Sequence, residues 1–137
     1  MSQILLDTGP LVAYALADEQ HHVWSRDQFS SLSNPLLTCE PVLAEAAYLL
    51  SERGGTSDFI WAFLRSGGLR IVFDLETEFE SVAVLMKRYA EIPMDLADAC
   101  LVRMSELQRD CKILTLDSDF KVYRRFGRQI IPSICPI

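Results

Sequence analysis

The chain has 137 residues, of which 50% are hydrophobic and 23% charged, with a formal net charge of −6. Such a composition supplies one ordinary core and excludes intrinsic disorder, low-complexity scaffolding and the broad basic surface that coats DNA. The apolar stretches are broken well short of the about eighteen residues that a membrane helix needs, and no basic leader precedes them, so a soluble, cytoplasmic protein without a membrane partner is expected.

In chain order, Gln3 to Leu6 form a short apolar run that ends at Asp7 before Gly9-Pro10. Helical stretches follow from about Pro10 to Ala17 and from His22 to Leu32. Pro35 precedes a second strand-length run, Leu36 to Cys39, and Pro41 stands where a first-turn proline is tolerated in a helix that Gly54-Gly55 stops near Arg53. Thr56 or Ser57 can cap a helix through Arg65. Leu69 to Phe73 reads as a strand, Glu76 to Glu91 as a helix, and Asp95 can cap another helix through Arg109. Cys111 to Leu116 is a strand ending at Asp117, and a last strand is expected near Gln129 to Ile131. Strand-length apolar runs separated by helices indicate an α/β fold, a three-layer α/β/α sandwich on a roughly five-stranded parallel sheet, in a single domain over residues 1–137.

The isolated acids of this chain fall at one place. In a parallel α/β sheet the strand C-termini share an edge, and crossover helices begin at that same edge. Asp7 and Asp117 directly follow strands, with Asp119 two residues on. Glu45 is the only charge in PVLAEAAYLL and lies in the second turn of its helix. Asp95 and Asp98 open the helix LADACLVRMSEL, where Asp98 lies beside the buried stripe of Ala97, Cys100, Leu101 and Met104; Asp98 is thus the working acid and Asp95 a cap or supporting group. Carboxylates brought together in this way raise one another's pKa, and hard divalent cations with oxygen ligands resolve the conflict. With no His or Cys nearby, Mg²⁺ or Mn²⁺ suits the site better than zinc, and phosphoryl chemistry suits the ions.

The segments ILLDTGPLVA, PVLAEAAYLL, MDLADACLV and TLDSDF resemble, in order and across the whole chain, the four acidic motifs of PIN-domain ribonucleases, above all VapC-like toxins and their stand-alone relatives. The resemblance implies a metal-dependent endoribonuclease in which Asp7, Glu45, Asp98 and Asp117 form the catalytic, metal-binding cluster. It makes Asp119 an additional ligand and gives Thr8 and Thr115 the task of orienting carboxylates. It also implies an RNA substrate, a homodimer and an antitoxin covering the active-site groove. Two positions depart from the motifs: Gly9 stands where a serine is common, and Ser118 where a basic residue is frequent.

Lys121, Arg124, Arg125 and Arg128 follow the last acidic motif, and Arg124 and Arg125 are the expected contacts to the RNA backbone. His21-His22 read as surface residues in a polar stretch. Trp24, Trp61, Phe29, Phe59 and Phe63 read as core or dimer contacts. The four cysteines show no zinc spacing and read as reduced, mostly buried thiols. Two other readings stay open: a receiver-like signalling domain, with Asp74 after its strand as phosphoacceptor, and a PIN-like module that binds RNA or a partner without catalysis.

Overall fold

The computed structural model describes residues 2–137 and contains a five-stranded sheet in the order β3-β2-β1-β4-β7, all pairs parallel. The central strands are β1 (Gln3–Leu6), β2 (Leu36–Thr38) and β4 (Cys111–Leu114), flanked by the edge strands β3 (Leu69–Ile71) and β7 (Ser133–Ile134). Alternation along these short strands divides the core. Leu5, Leu37 and Ile113 face one side of the sheet, and Ile4, Leu6, Leu36 and Leu114 face the other. The helices α5 (Leu75–Arg88) and α6 (Leu96–Leu107) cover the first face, through Val82, Leu85, Cys100 and Leu101. The second face is covered by α1 (Thr8–Ala15), α2 (His22–Ser31) and α4 (Asp58–Arg65). Between the layers, α3 (Glu40–Glu52) packs Val42 into the first cluster and Leu43, Ala46 and Leu50 into the second. No helix among the described residues is long and apolar enough to cross a membrane.

The strand order places the site. The chain steps from β1 to β2 to β3 in one direction, then crosses to β4 on the other side of β1. The switch point therefore lies between β1 and β4, where a parallel sheet opens a crevice beyond its strand ends. β3 is an edge strand, so Asp74 does not follow a central strand as a receiver phosphoacceptor must; its Oδ2 accepts a 2.6 Å bond from Thr77 Oγ1 at the start of α5 instead.

The last strand of the main sheet differs from expectation. Gln129–Ile130 (β6) does not join it but pairs antiparallel with Arg124–Arg125 (β5), and β7 begins only after Pro132. The cause is local: Phe126 and Gly127 take φ of 55° and 79°, and two successive left-handed residues reverse the chain. Ile130 is left exposed, Ile131 is buried, and the carbonyl of Pro132 accepts from Ile113 N to open the β4–β7 ladder.

Candidate active site

Asp7, Glu45, Asp98 and Asp117 line a single cavity of about 400 Å³, together with Asp95, Thr8, Gly9, Leu49, Leu116 and Ser118. Each acid arrives by a separate element. Asp7 ends β1 and caps α1, accepting from Thr8 N at 2.7 Å. Asp117 follows β4 and caps the 3₁₀ turn Ser118–Lys121, accepting from Asp119 N at 2.8 Å. Glu45 stands in the second turn of α3, after Pro41. Asp98 lies in the first turn of α6, whose N-cap Asp95 accepts from Asp98 N at 2.8 Å. Asp95 is thus a cap that also lines the cavity.

A hydrogen-bond chain ties β1 to β4 beneath the cavity. Thr115 Oγ1 donates to Asp7 Oδ2 at 2.7 Å and accepts from Asp117 N at 2.9 Å. One buried threonine therefore ties the positions of two of the acids together. Thr8 differs: its backbone N–H serves Asp7, while its hydroxyl is buried without a partner among the described residues. An orphaned hydroxyl oxygen beside carboxylates is a vacant donor or acceptor at the cavity wall.

Tyr123 escaped the sequence reading. Its hydroxyl, fully buried, donates to Asp98 Oδ2 at 2.9 Å. The available signal was Phe120 and Tyr123 spaced three apart in an otherwise charged segment, which the 3₁₀ turn folds inward on one face, with the two rings edge to face. Asp119 contributes its backbone N–H to Asp117, but it does not line the cavity, because the turn carries residue 119 past it.

The electrostatics are strained. Burial pushes the Asp7 carboxyl up to about 6, against the bonds from Thr115 and Thr8, and the charges of Asp117 and Glu45 push the same way as burial. Asp98 rises to about 8 through burial first and then through Asp95, Asp7 and Asp117, with the Tyr123 hydroxyl opposing. No cation lines this cavity, and neither does a His or Cys. Among the described residues no three such side chains stand close enough to cage an ion as they are, so the acids share a cavity without meeting at one point. The all-oxygen donor set, the orphaned Thr8 hydroxyl and two carboxyls held above their ordinary range fit a hard divalent cation.

Gly9 has a packing reason. A Cβ there would come within 3.1 Å of Leu116 Cβ, so the glycine allows the loop after β4 to close over α1. Ser118 lines the cavity rim and is exposed.

The two expected RNA contacts are placed differently. Arg124 Nη1 donates to the carbonyls of Lys121, Val122 and Tyr123, curled against its own turn. Arg125 is buried at the far end of α6, where Nη1 donates to Ser105 O at 3.0 Å and Arg109 O at 2.9 Å and Nε donates to Gln129 Oε1 at 3.2 Å. Neither lines the acidic cavity. Its acceptors at the end of α6 and the start of β4 place the Arg125 guanidinium at the opposite edge of the sheet. Arg125→Ala is expected to lower stability by about 3 kcal/mol, read as a shift in urea midpoint, because buried carbonyls lose a charged donor. A midpoint unchanged within error would contradict that role.

The remaining residues singled out by the sequence do not line the acidic cavity. Cys39, Cys100 and Cys111 are buried free thiols, and Cys135 is half-buried. His22 Nδ1 lies 2.8 Å from the Ala13 carbonyl, away from the acids. Phe29 and Phe59 stack on Tyr14 and Phe63 tilts against both, all packed with Trp24 against the second core cluster, while Trp61 is largely exposed and donates to Ser57 Oγ.

Comparison with known proteins agrees with this geometry. The PIN domain profile matches residues 4–125. A protein from Mycobacterium tuberculosis, "Ribonuclease VapC26", is 31% identical over 128 residues, covering 90% of this chain and 94% of the relative. The crystal structure of Mycobacterium tuberculosis VapC20, described as a sarcin-ricin loop cleaving toxin, superposes with a TM-score of 0.75 over 95% of this chain and 100% of that one, at 22% identity.

Proposed function

The chain belongs to the PIN domain family, among its VapC-like members, and from that premise we propose that it is a divalent-metal-dependent endoribonuclease, the toxin of a type II toxin–antitoxin pair. The observation that carries this reading is the cavity that Asp7, Glu45, Asp98 and Asp117 share at the β1–β4 switch point. The 31% relative is named a ribonuclease, which supports RNA as the substrate. An antitoxin covering the groove, a homodimer and a cytoplasmic location belong to the same proposal.

Asp7, Glu45, Asp98 and Asp117 would hold the ion, with the Thr8 hydroxyl at the wall. A bound Mg²⁺ or Mn²⁺ supplies charge neutralisation and Lewis acidity at the scissile phosphate. The protein supplies position. Thr115 and Thr8 N hold both oxygens of Asp7, Tyr123 holds one oxygen of Asp98, and Asp119 N holds one of Asp117. Those carboxylates are therefore oriented before substrate arrives, which lowers the reorganisation needed during reaction. Glu45 has no such tether among the described residues, and its longer side chain can swing to complete the set.

The test needs no substrate. Wild type and Asp98→Asn are unfolded thermally in chelator, then with Mn²⁺ added. An ion at a hundred times its dissociation constant adds about 2.7 kcal/mol, a few degrees in a domain of this size. A rise in wild type that shrinks in Asp98→Asn is expected. Absence of any Mn²⁺ response in wild type would leave a PIN-like binding module without catalysis as the better reading.

A further inference from the structure

A second site lies at the other end of the molecule. Arg109, Arg125, Phe126, Arg128 and Gln129 line a cavity of about 680 Å³ that contains three guanidiniums and no carboxylate, on a chain whose net charge is −6. Of the neighbouring acids, Glu106 pairs with Arg103 and accepts from the backbone N–H of Phe126 in the cavity lining, and Asp110 accepts from Ser2 Oγ. Arg109 and Arg128 form no ion pair among the described residues. Phe126, fixed in the left-handed turn with φ of 55°, places its ring 5.2 Å from the Arg109 guanidinium and 5.9 Å from that of Arg125. The ring face attracts both cations and offsets their repulsion. Arg125 is only 7% exposed; Nη1 and Nε are spent on protein acceptors, whereas Nη2 donates to none among the described residues. Its two free N–H groups belong to a side chain that lines the cavity wall.

We propose that this pocket is an anion site for the phosphodiester backbone of RNA, engaging the strand at a distance from the acidic cavity. The assignment of RNA rests on the ribonuclease reading; the anion site itself rests on the three arginines alone. Guanidiniums suit phosphate because their forked donors take two of its oxygens at once. Asp98 and Leu107 lie nine residues, about 14 Å, apart along α6, and Arg109 follows two residues beyond the helix end, so the two sites lie toward opposite ends of this helix. Because α6 is largely buried, a strand reaching both sites runs over the surface and, at about 3.4 Å per nucleotide, needs more than about four nucleotides. The pocket thus anchors strands longer than the acidic cavity alone can hold.

The experiment measures binding of a labelled single-stranded RNA 12-mer, in chelator so that neither cleavage nor bridging ions contribute, over a range of salt. Wild type is compared with the Arg109→Ala/Arg128→Ala double variant, whose altered side chains are exposed. The 12-mer is expected to bind roughly tenfold more weakly to the variant, with a salt slope shallower by about 1.4, the equivalent of two lost phosphate contacts on a single strand. The Mn²⁺-induced thermal shift should be identical in both proteins, which shows that the acidic cavity is intact. Equal 12-mer binding by both proteins overturns the pocket and leaves the ribonuclease reading standing. Short polyphosphate and a poly-glutamate peptide serve as further probes. Arginine-dependent binding of polyphosphate, with no 12-mer held by wild type, overturns RNA as the ligand. Preference for the peptide over the 12-mer overturns it as well and turns the pocket into a docking point for an acidic protein.

Discussion

Asp7→Asn is expected to lower RNA cleavage by more than about a hundredfold while making the metal-free protein more stable at alkaline pH. Removing groups that merely orient metal ligands already costs ten- to a hundredfold, and Asp7 is proposed as a ligand itself. The stability gain follows from its surroundings. Asp7 is 5% exposed, and its carboxyl is pushed up to about 6 from its ordinary 3.8, first by burial. Holding it ionised in the fold therefore costs about 3 kcal/mol, at about 1.4 kcal/mol for each pKa unit. Asparagine keeps the shape and an acceptor for Thr8 N without the charge. In chelator at pH 8 the variant should unfold several degrees above wild type, and the difference should narrow as pH falls through about 6 and nearly vanish only below the unfolded value of 3.8. A variant less stable than wild type at pH 8 would mean that Asp7 is not a strained charge. Retention of cleavage by the variant would remove Asp7 from catalysis.

The acids were legible because each stands alone among apolar residues at a strand end or a helix start. A single topological rule then carries them to one edge: Asp7 after QILL, Asp117 after the Ile113 strand, Glu45 and Asp98 early in crossover helices. That rule places backbones and not side chains, so it could not say that the carboxylates share a cavity without closing on one point. Nor could it find Tyr123, whose route to Asp98 depends on a 3₁₀ turn in the charged segment DSDFKVYRR. The end of the chain was harder still. Strands of two residues carry almost no periodic signal, and Gln129 to Ile131 has the composition of a strand whichever partner it takes. Its pairing was decided by the left-handed Phe126, a conformation that composition does not announce. Helices survived better because their stops are covalent preferences: Pro41 in a first turn, and Gly54 with φ of 77° after α3.

Metal and protons compete for the same oxygens, so the chelated protein should lose stability as pH rises while the Mn²⁺-loaded protein should hold nearly constant. Both strained carboxyls titrate higher in the folded state than in the unfolded chain. The stability they contribute is fully present below the unfolded value near 4, and it is lost as pH rises through about 6 for Asp7 and about 8 for Asp98. In chelator, the unfolding temperature should therefore fall between pH 5 and pH 8.5. With Mn²⁺ in excess the ion takes the place of the protons, and since it binds only the ionised carboxylates its stabilisation should grow across that same window. The gap between the two curves should be small at pH 5 and largest above pH 8. It should shrink at every pH in Asp98→Asn. The Tyr123 hydroxyl gives an internal check on the upper limb, because its bond favours the charged form of Asp98. In Tyr123→Phe the gap should open at a higher pH than in wild type. Parallel curves, with a Mn²⁺ increment independent of pH, would mean that the ion binds elsewhere and that these carboxyls do not hold it.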